Sequence, residues 1–227
     1  MKSFCVILVL LAYSTTITCR KYGFDSTQNI TVSQFACLAN EGYSFFIARI
    51  YRSKGIVDDV GLENIARASE AGFHEIHGYF FPCLKSECRQ SAAQQIDEAF
   101  TALEEEGLEI DKLWLDIQIE NGSWGTDKKH NQAFIKELID EAEHETEKVG
   151  IYTQNDSWKN IVGIDWNYAN NKYLWYPRFN KTPEELTSVF MPFGGWKKPK
   201  LHQFDQNVKS KCDVKINRSW DIDPQEF

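Results

Sequence analysis

Beyond its first twenty residues the chain has no long charge-free apolar run, which removes a membrane-spanning helix from consideration. The opening apolar run, Phe4 to Tyr13 after Lys2, is itself too short to span a bilayer. With the small and polar residues that follow through Cys19, it predicts a secretory signal peptide over 1–19, cleaved somewhere between Ser14 and Lys21. Proline is scarce, 6 in 227 residues, and no proline-rich or low-complexity linker interrupts the chain, so residues 20–227 are expected to form one domain. No clustered basic face is visible either: 25 Lys and Arg stand against 33 Asp and Glu, a formal charge of -8, which argues against nucleic acid as a partner. Nor do the five His and six Cys fall into ligand spacing. Cys83-x4-Cys88 has no second C-x-x-C or His pair in step with it, so neither a metal nor a cofactor is expected.

A secretory leader makes disulfides the natural reading of Cys37, Cys83, Cys88 and Cys212. Cys83 and Cys88 are close enough to close a small loop, which would leave Cys37 for Cys212. Four cysteines allow three pairings, and spacing alone does not choose among them. Sequons at Asn29, Asn121, Asn155, Asn180 and Asn217 fit a secreted chain. The expected location is extracellular, with an acidic gut lumen or a lysosome-like compartment as variants in which carboxylates partly protonate. A monomer is expected, with no membrane partner.

The strongest pattern is a repeated unit in which a helix ends at glycine and a hydrophobic strand follows. Helices are predicted over 33–41, 62–71, 87–106 and 128–149, stopping at Gly42, Gly72, Gly107 and Gly150, since glycine past a helix end supplies the left-handed turn back toward a sheet. Apolar residues recur at helical spacing, as in Ile96, Ala99, Phe100 and Leu103, so each helix has one side to bury. Strands over 43–51, 75–81, 112–118 and 151–153, joined by 22–24, 172–176, 200–204 and 214–220, bring the total to about eight. Eight is the number that closes a β/α barrel. The predicted class is therefore α/β, an irregular (β/α) TIM-like barrel whose late strands have short or missing helices. An open doubly wound sheet is the alternative.

Barrel proteins carry their chemistry at the C-terminal ends of the strands. Those ends are expected to hold Asp25, Arg49, Arg52, His77, Tyr79, Asp116, Gln118, Glu120, Tyr152, Trp175 and His202. In Leu113-Trp-Leu-Asp-Ile-Gln-Ile-Glu120, alternation puts Asp116, Gln118 and Glu120 on one side of the strand. Asp25, directly before Ser26 and Thr27, reads equally as a helix N-cap. Two carboxylates near one mouth suit glycoside hydrolysis, in which one group protonates the leaving oxygen and the other stabilises the positive sugar. Of the aromatic residues, most are expected in the core, with Tyr79, Tyr152 and Trp175 facing the groove as substrate-binding rings.

These segments resemble the glycoside hydrolase family 25 lysozymes, in the small secreted form of nematodes and amoebae. The resemblance rests on Gly-Phe-Asp25-Ser-Thr, Phe46-Ile-Ala-Arg-Ile-Tyr-Arg-Ser53, Gly78-Tyr-Phe-Phe-Pro-Cys83, Leu113-Trp-Leu-Asp-Ile117, Gly150-Ile-Tyr-Thr153, Leu174-Trp-Tyr176 and Phe193-Gly-Gly-Trp-Lys-Lys-Pro199. It implies an irregular barrel and hydrolysis of the bond between N-acetylmuramic acid and N-acetylglucosamine in bacterial peptidoglycan. The family's early Asp falls on Asp25 and the Asp of its Asp-x-Glu motif on Asp116, but the Glu of that motif, which looks like the proton donor, falls on Gln118. A later acidic position falls near Asn217, with Asp213, Asp221 and Asp223 close by.

An amide has no proton to give, and general acid help is worth about 10²–10⁴ in rate. Glu120 is a candidate substitute, although it lies roughly 6–7 Å further along the strand. The sequence therefore supports two readings: a lysozyme-like hydrolase weakened at position 118, serving antibacterial defence or digestion, and an inactive peptidoglycan-binding relative in innate immunity. A third, a scaffold for a protein partner, has no feature in its favour.

Overall fold

The computed structural model describes residues 21–84, 88–119, 124–179, 185–186 and 189–222. The predicted signal peptide, Glu120, Asp223 and the sequons at Asn121 and Asn180 lie outside them. The elements run β1 (Tyr22–Asp25), α1 (Val32–Asn40), β2 (Tyr43–Arg52), β3 (Ile56–Val57), α2 (Asp59–Glu70), β4 (Ile76–Phe80), α3 (Ala92–Glu105), β5 (Lys112–Asp116), α4 (Lys128–Glu145), β6 (Val149–Tyr152), α5 (Asn155–Ile161), β7 (Tyr173–Pro177), β8 (Leu201–Lys209) and β9 (Lys215–Asp221). The sheet order β1-β9-β8-β7-β6-β5-β4-β2, with β1 also paired to β2, closes an eight-stranded barrel, and β3 is a short flap on β2. All barrel neighbours are parallel except β9, which runs antiparallel to both β8 and β1. The predicted barrel and its eight strands are borne out. Among the described residues no helix is long and apolar enough to cross a membrane.

Three of the helices start at caps that the sequence offers. Thr31 and Gln34 make a reciprocal capping box on α1, Ser91 and Gln94 repeat it on α3, and the Asp127 carboxylate accepts from the Lys129 and His130 amides at the start of α4. With Thr31 in that role, Asp25 is not an N-cap. Gly42, Gly72 and Gly107 adopt positive φ as predicted. Gly150 does not: α4 ends earlier, at Glu145, and Gly150 lies inside β6. Its lack of a side chain serves packing instead, because a Cβ there would sit 2.3 Å from the Trp114 ring.

Side-chain alternation along the strands gives two cores. The outer one, between barrel and helices, includes Phe24, Phe35, Phe46 and Phe73, whose rings pack at centroid distances from 4.9 to 6.1 Å. The inner one fills the barrel with Phe45, Ile47, Trp114, Tyr152, Trp175 and Leu201. Disulfides join Cys37 to Cys212 and Cys83 to Cys88.

Candidate active site

The inward residues at the C-terminal end of the barrel are polar. Asp25 ends β1, Asp116 ends β5 and Tyr152 ends β6, while Gln203 of β8 lies level with Pro177 at the end of β7. Because β9 is antiparallel, its beginning reaches this end, and Asn217 stands directly opposite Asp25.

Asp25 is buried, 5 % exposed. Its two oxygens accept from different amides, Oδ1 from Gln203 Nε2 at 2.8 Å and Oδ2 from Asn217 Nδ2 at 2.7 Å. Gln203 is oriented in turn by the Tyr152 hydroxyl, which donates to its Oε1 at 2.9 Å. Burial pushes the Asp25 carboxyl up to about 7, the amide hydrogen bonds offsetting only part of the desolvation. Near neutral pH this group therefore exchanges a proton.

Asp116, 4 % exposed, accepts at Oδ2 from Gln118 Nε2 at 3.0 Å. The strand predicted to continue to Gln118 stops at Asp116, and the next residues are pinned individually. The Ile117 amide donates to the Tyr152 carbonyl, the Ile119 amide to Ser157 Oγ, and the Trp124 indole to the Gln118 carbonyl. Tyr79, half-buried on β4, stands in the field of both acids: burial, then the charge of Asp25, then that of Asp116 raise its phenol, while Arg49 lowers it. Arg49, hydrogen-bonded to Tyr79, is itself anchored by an ion pair with the buried Asp58.

The predicted site residues thus separate into groups. Asp25, Tyr79, Asp116, Gln118 and Tyr152 gather at one mouth. Trp175 is buried beneath it, its indole donating to Ser219 Oγ at 3.1 Å and its ring 4.5 Å from that of Tyr152, so these two rings form a floor more than an open stacking face. His77 and His202 do not belong to the mouth. Each is the second residue of its strand: His77 accepts from the Trp114 indole inside the barrel, whereas His202 bonds Trp220 and the Arg178 carbonyl. Asp221 lies at the opposite barrel end with Lys200, and Asp213 is an exposed turn residue paired with Lys209. Of the late candidates among the described residues, Asn217 is the one that reaches the site. Gln203 and Arg49 with Asp58 complete the mouth. Gln203 went unrecognised in the sequence, where only its inward position two residues after Leu201 sets it apart.

A closed eight-stranded barrel with two buried acids at its C-terminal rim is an arrangement that suits glycoside hydrolysis. A family model described as "Lysozyme-like protein 1" matches residues 17–204. The chain is 37% identical over 213 residues to "Lysozyme-like protein 5" of Caenorhabditis elegans, covering 94% of this chain and 97% of that one. It is 32% identical over 199 residues to "Probable GH family 25 lysozyme 5" of Dictyostelium discoideum, with 87% and 89% covered. In structure it is similar to a family GH25 lysozyme from Aspergillus fumigatus, with a TM-score of 0.71 at 19% identity over 91% of this chain and 96% of that one. The chain belongs to the lysozyme-like proteins of glycoside hydrolase family 25.

Proposed function

We propose that this protein is secreted and holds bacterial peptidoglycan at the barrel mouth in antibacterial defence or digestion, with hydrolysis weak because position 118 is an amide. The observation that carries this reading is the Gln118 Nε2 to Asp116 Oδ2 hydrogen bond of 3.0 Å. It holds at Asp116 a group that orients a carboxylate and delivers no proton to a leaving oxygen. Tyr79, Tyr152 and Trp175 would then shape the floor and wall on which a sugar ring rests, with Asp25 and Asp116 beneath the scissile region. Glu120 as a replacement acid is part of the same proposal and lies outside the described residues.

A second reading, a working muramidase, is favoured by one specific feature: Asp25 titrates near 7 and so carries a proton at the mouth for part of the time. Turbidity clearing of a Gram-positive wall preparation by wild type, Gln118→Glu and Asp116→Asn separates the two. Weak activity predicts that Gln118→Glu clears far faster than wild type. Equal rates for those two, both abolished by Asp116→Asn, would establish the second reading. Failure of the purified protein to be retained on insoluble peptidoglycan at any of several pH values would remove the binding claim.

A further inference from the structure

No helix stands between β8 and β9, and β1 follows β9 in the sheet, so this stretch of barrel wall carries its outward side chains without a crossover helix of its own. Gln203 and Asn217 bond to Asp25 inside the barrel and Ser219 to Trp175, so alternation turns Phe204 and Arg218 to the outside. Tyr22 on β1 is outward for the same reason. A register shift at the start of β2 brings Tyr43 to the same face, its ring 5.3 Å from that of Phe24. With Glu41 and Gly42 these residues line a cleft of ≈ 380 Å³, within the range of small-ligand sites, about 300–1,000 Å³. Gly42 keeps it open: its φ is +95°, and nothing lies within 4 Å of where a Cβ would stand.

Aromatic rings and fixed polar groups alternate around this cleft. Tyr22, 36 % exposed, meets Phe204 edge-on with ring centroids 6.3 Å apart, and the Arg218 guanidinium lies 5.2 Å over the Phe204 ring. Arg218 is held by an ion pair with Asp205 and a hydrogen bond to the Tyr43 hydroxyl, which leaves further N–H donors of its fork for a ligand. The charges are matched: Arg218 has Asp205, and Glu41 has Lys211 at 3.7 Å. An anion or a cation entering here would have to displace one of these partners. A ligand with apolar C–H faces, hydroxyl edges and no net charge would not, since rings supply the apolar contact and Arg218, Tyr43 and Glu41 the hydrogen bonds. That is the chemistry of a pyranose ring.

We propose that this aromatic cleft on the outer wall is a second glycan-binding site, taking an uncharged N-acetylated sugar of a β-1,4-linked polysaccharide. The choice of N-acetylated sugar rests on the wall-directed reading of the mouth; the neutral-sugar chemistry of the cleft is independent of position 118. Along β1 the cleft lies about 10 Å from Asp25 and on the other side of the sheet, so it does not extend the mouth. It acts as an anchor: engagement of a glycan strand on the wall raises the effective concentration of glycan at the mouth.

The test is a titration followed by backbone-amide NMR, with the β-1,4-linked tetramer of N-acetylglucosamine as probe and polyglutamate and polylysine as charged controls. Wild type, Tyr22→Ala, Phe204→Leu and the mouth variant Tyr79→Ala are compared, with thermal unfolding as the control for folding. The tetramer is expected to shift the amides of Gly42, Tyr43 and Phe204. Affinity there falls about three- to tenfold in Tyr22→Ala and Phe204→Leu, the scale of one aromatic contact, and is unchanged in Tyr79→Ala. Unshifted amides, equal affinity in wild type and Tyr22→Ala, or tighter binding of either charged polymer overturns the proposal. So does a wild-type dimer that Tyr22→Ala converts to monomer, since the cleft is then a subunit interface. Retention on insoluble peptidoglycan and on chitin separates two sources of the sugar. A loss in Tyr22→Ala on peptidoglycan alone assigns the bacterial strand, a loss on both assigns the shared sugar, and a loss on neither overturns the proposal. If the cleft amides respond while those of Ile117 and Tyr152 are unmoved by the tetramer and by soluble peptidoglycan fragments, the cleft stands and the peptidoglycan reading of the mouth fails.

Discussion

The two ends of the barrel bury carboxylates with different partners. At the mouth, Asp25 is held by the amides of Gln203 and Asn217, and Asp116 by that of Gln118. At the base, Glu75 is held by Lys21 and His77, and Asp221 by Lys200. The consequence is visible in the protonation of two of these acids, the enclosed Asp25 and the partly buried Glu75. Burial raises Asp25 to about 7 because neutral amides do not repay the lost hydration, whereas at Glu75 hydrogen bonds from His77 and Lys21 outweigh burial and hold the carboxyl down at about 2. An amide partner leaves a buried acid responsive near neutrality; a cation fixes its charge.

The largest test of that contrast is Gln118→Glu, which exchanges an amide partner for an acid. Clearing of wall suspensions should rise on the order of 10²-fold or more, the usual scale of general acid help. An unchanged rate would show that the mouth does not lack a proton donor. At the base, Lys200→Met removes the ammonium 3.2 Å from the buried Asp221 carboxylate and should cost about 3–5 kcal/mol in urea unfolding, with Lys200→Met/Asp221→Leu recovering much of it. A loss below about 1 kcal/mol would mean that the base charges are solvated well enough to need no partner.

The third test is pH. Asp25 binds its proton more tightly folded than unfolded, so between the unfolded value of about 4 and the folded value of about 7 the native state carries the extra proton and stability falls as pH rises, by up to about 4 kcal/mol. Glu75 has the opposite sign: its contribution is full above about 4 and is lost as pH falls toward 2. Asp25→Asn should therefore flatten the melting temperature between pH 4 and 7 while leaving the acid limb intact, and an unflattened profile would place the titration elsewhere. Smallest of all, Tyr152→Phe removes the hydroxyl that orients Gln203 and should cost about 1 kcal/mol in denaturant unfolding, with a slight upward drift of the neutral-side titration. A change several times larger would mean that the ring itself is displaced.

Much of the barrel was legible because each strand is nearly continuous in large apolar residues and three of the four glycine stops mark real helix ends. What escaped was set by long-range packing. Gly150 looks like a stop in one dimension, yet it is a strand residue selected by the Trp114 ring across the interior. The short α5 has no side-chain cap, so nothing local announces it. At the mouth, Asp25, Asp116 and Gln118 could be named from strand ends and resemblance. The Gln203 relay could not, since an amide inside a strand has no meaning until the antiparallel β9 brings Asn217 and Asp25 beside it. The misplaced histidines show the same limit: periodicity assigns a strand but not how far along it the rim begins.

The Cys37–Cys212 bridge spans 175 residues and ties α1, the helix between the first two strands, to the turn joining the last two. It crosses the join at which an otherwise helix-covered wall is completed by a bare hairpin. A cross-link enclosing that much chain removes freedom from the unfolded protein worth about 5 kcal/mol in the chain-entropy account. Thiol reductants should therefore loosen the wall first beside Asp25 and Asn217, making the geometry of the acidic rim dependent on an oxidising environment.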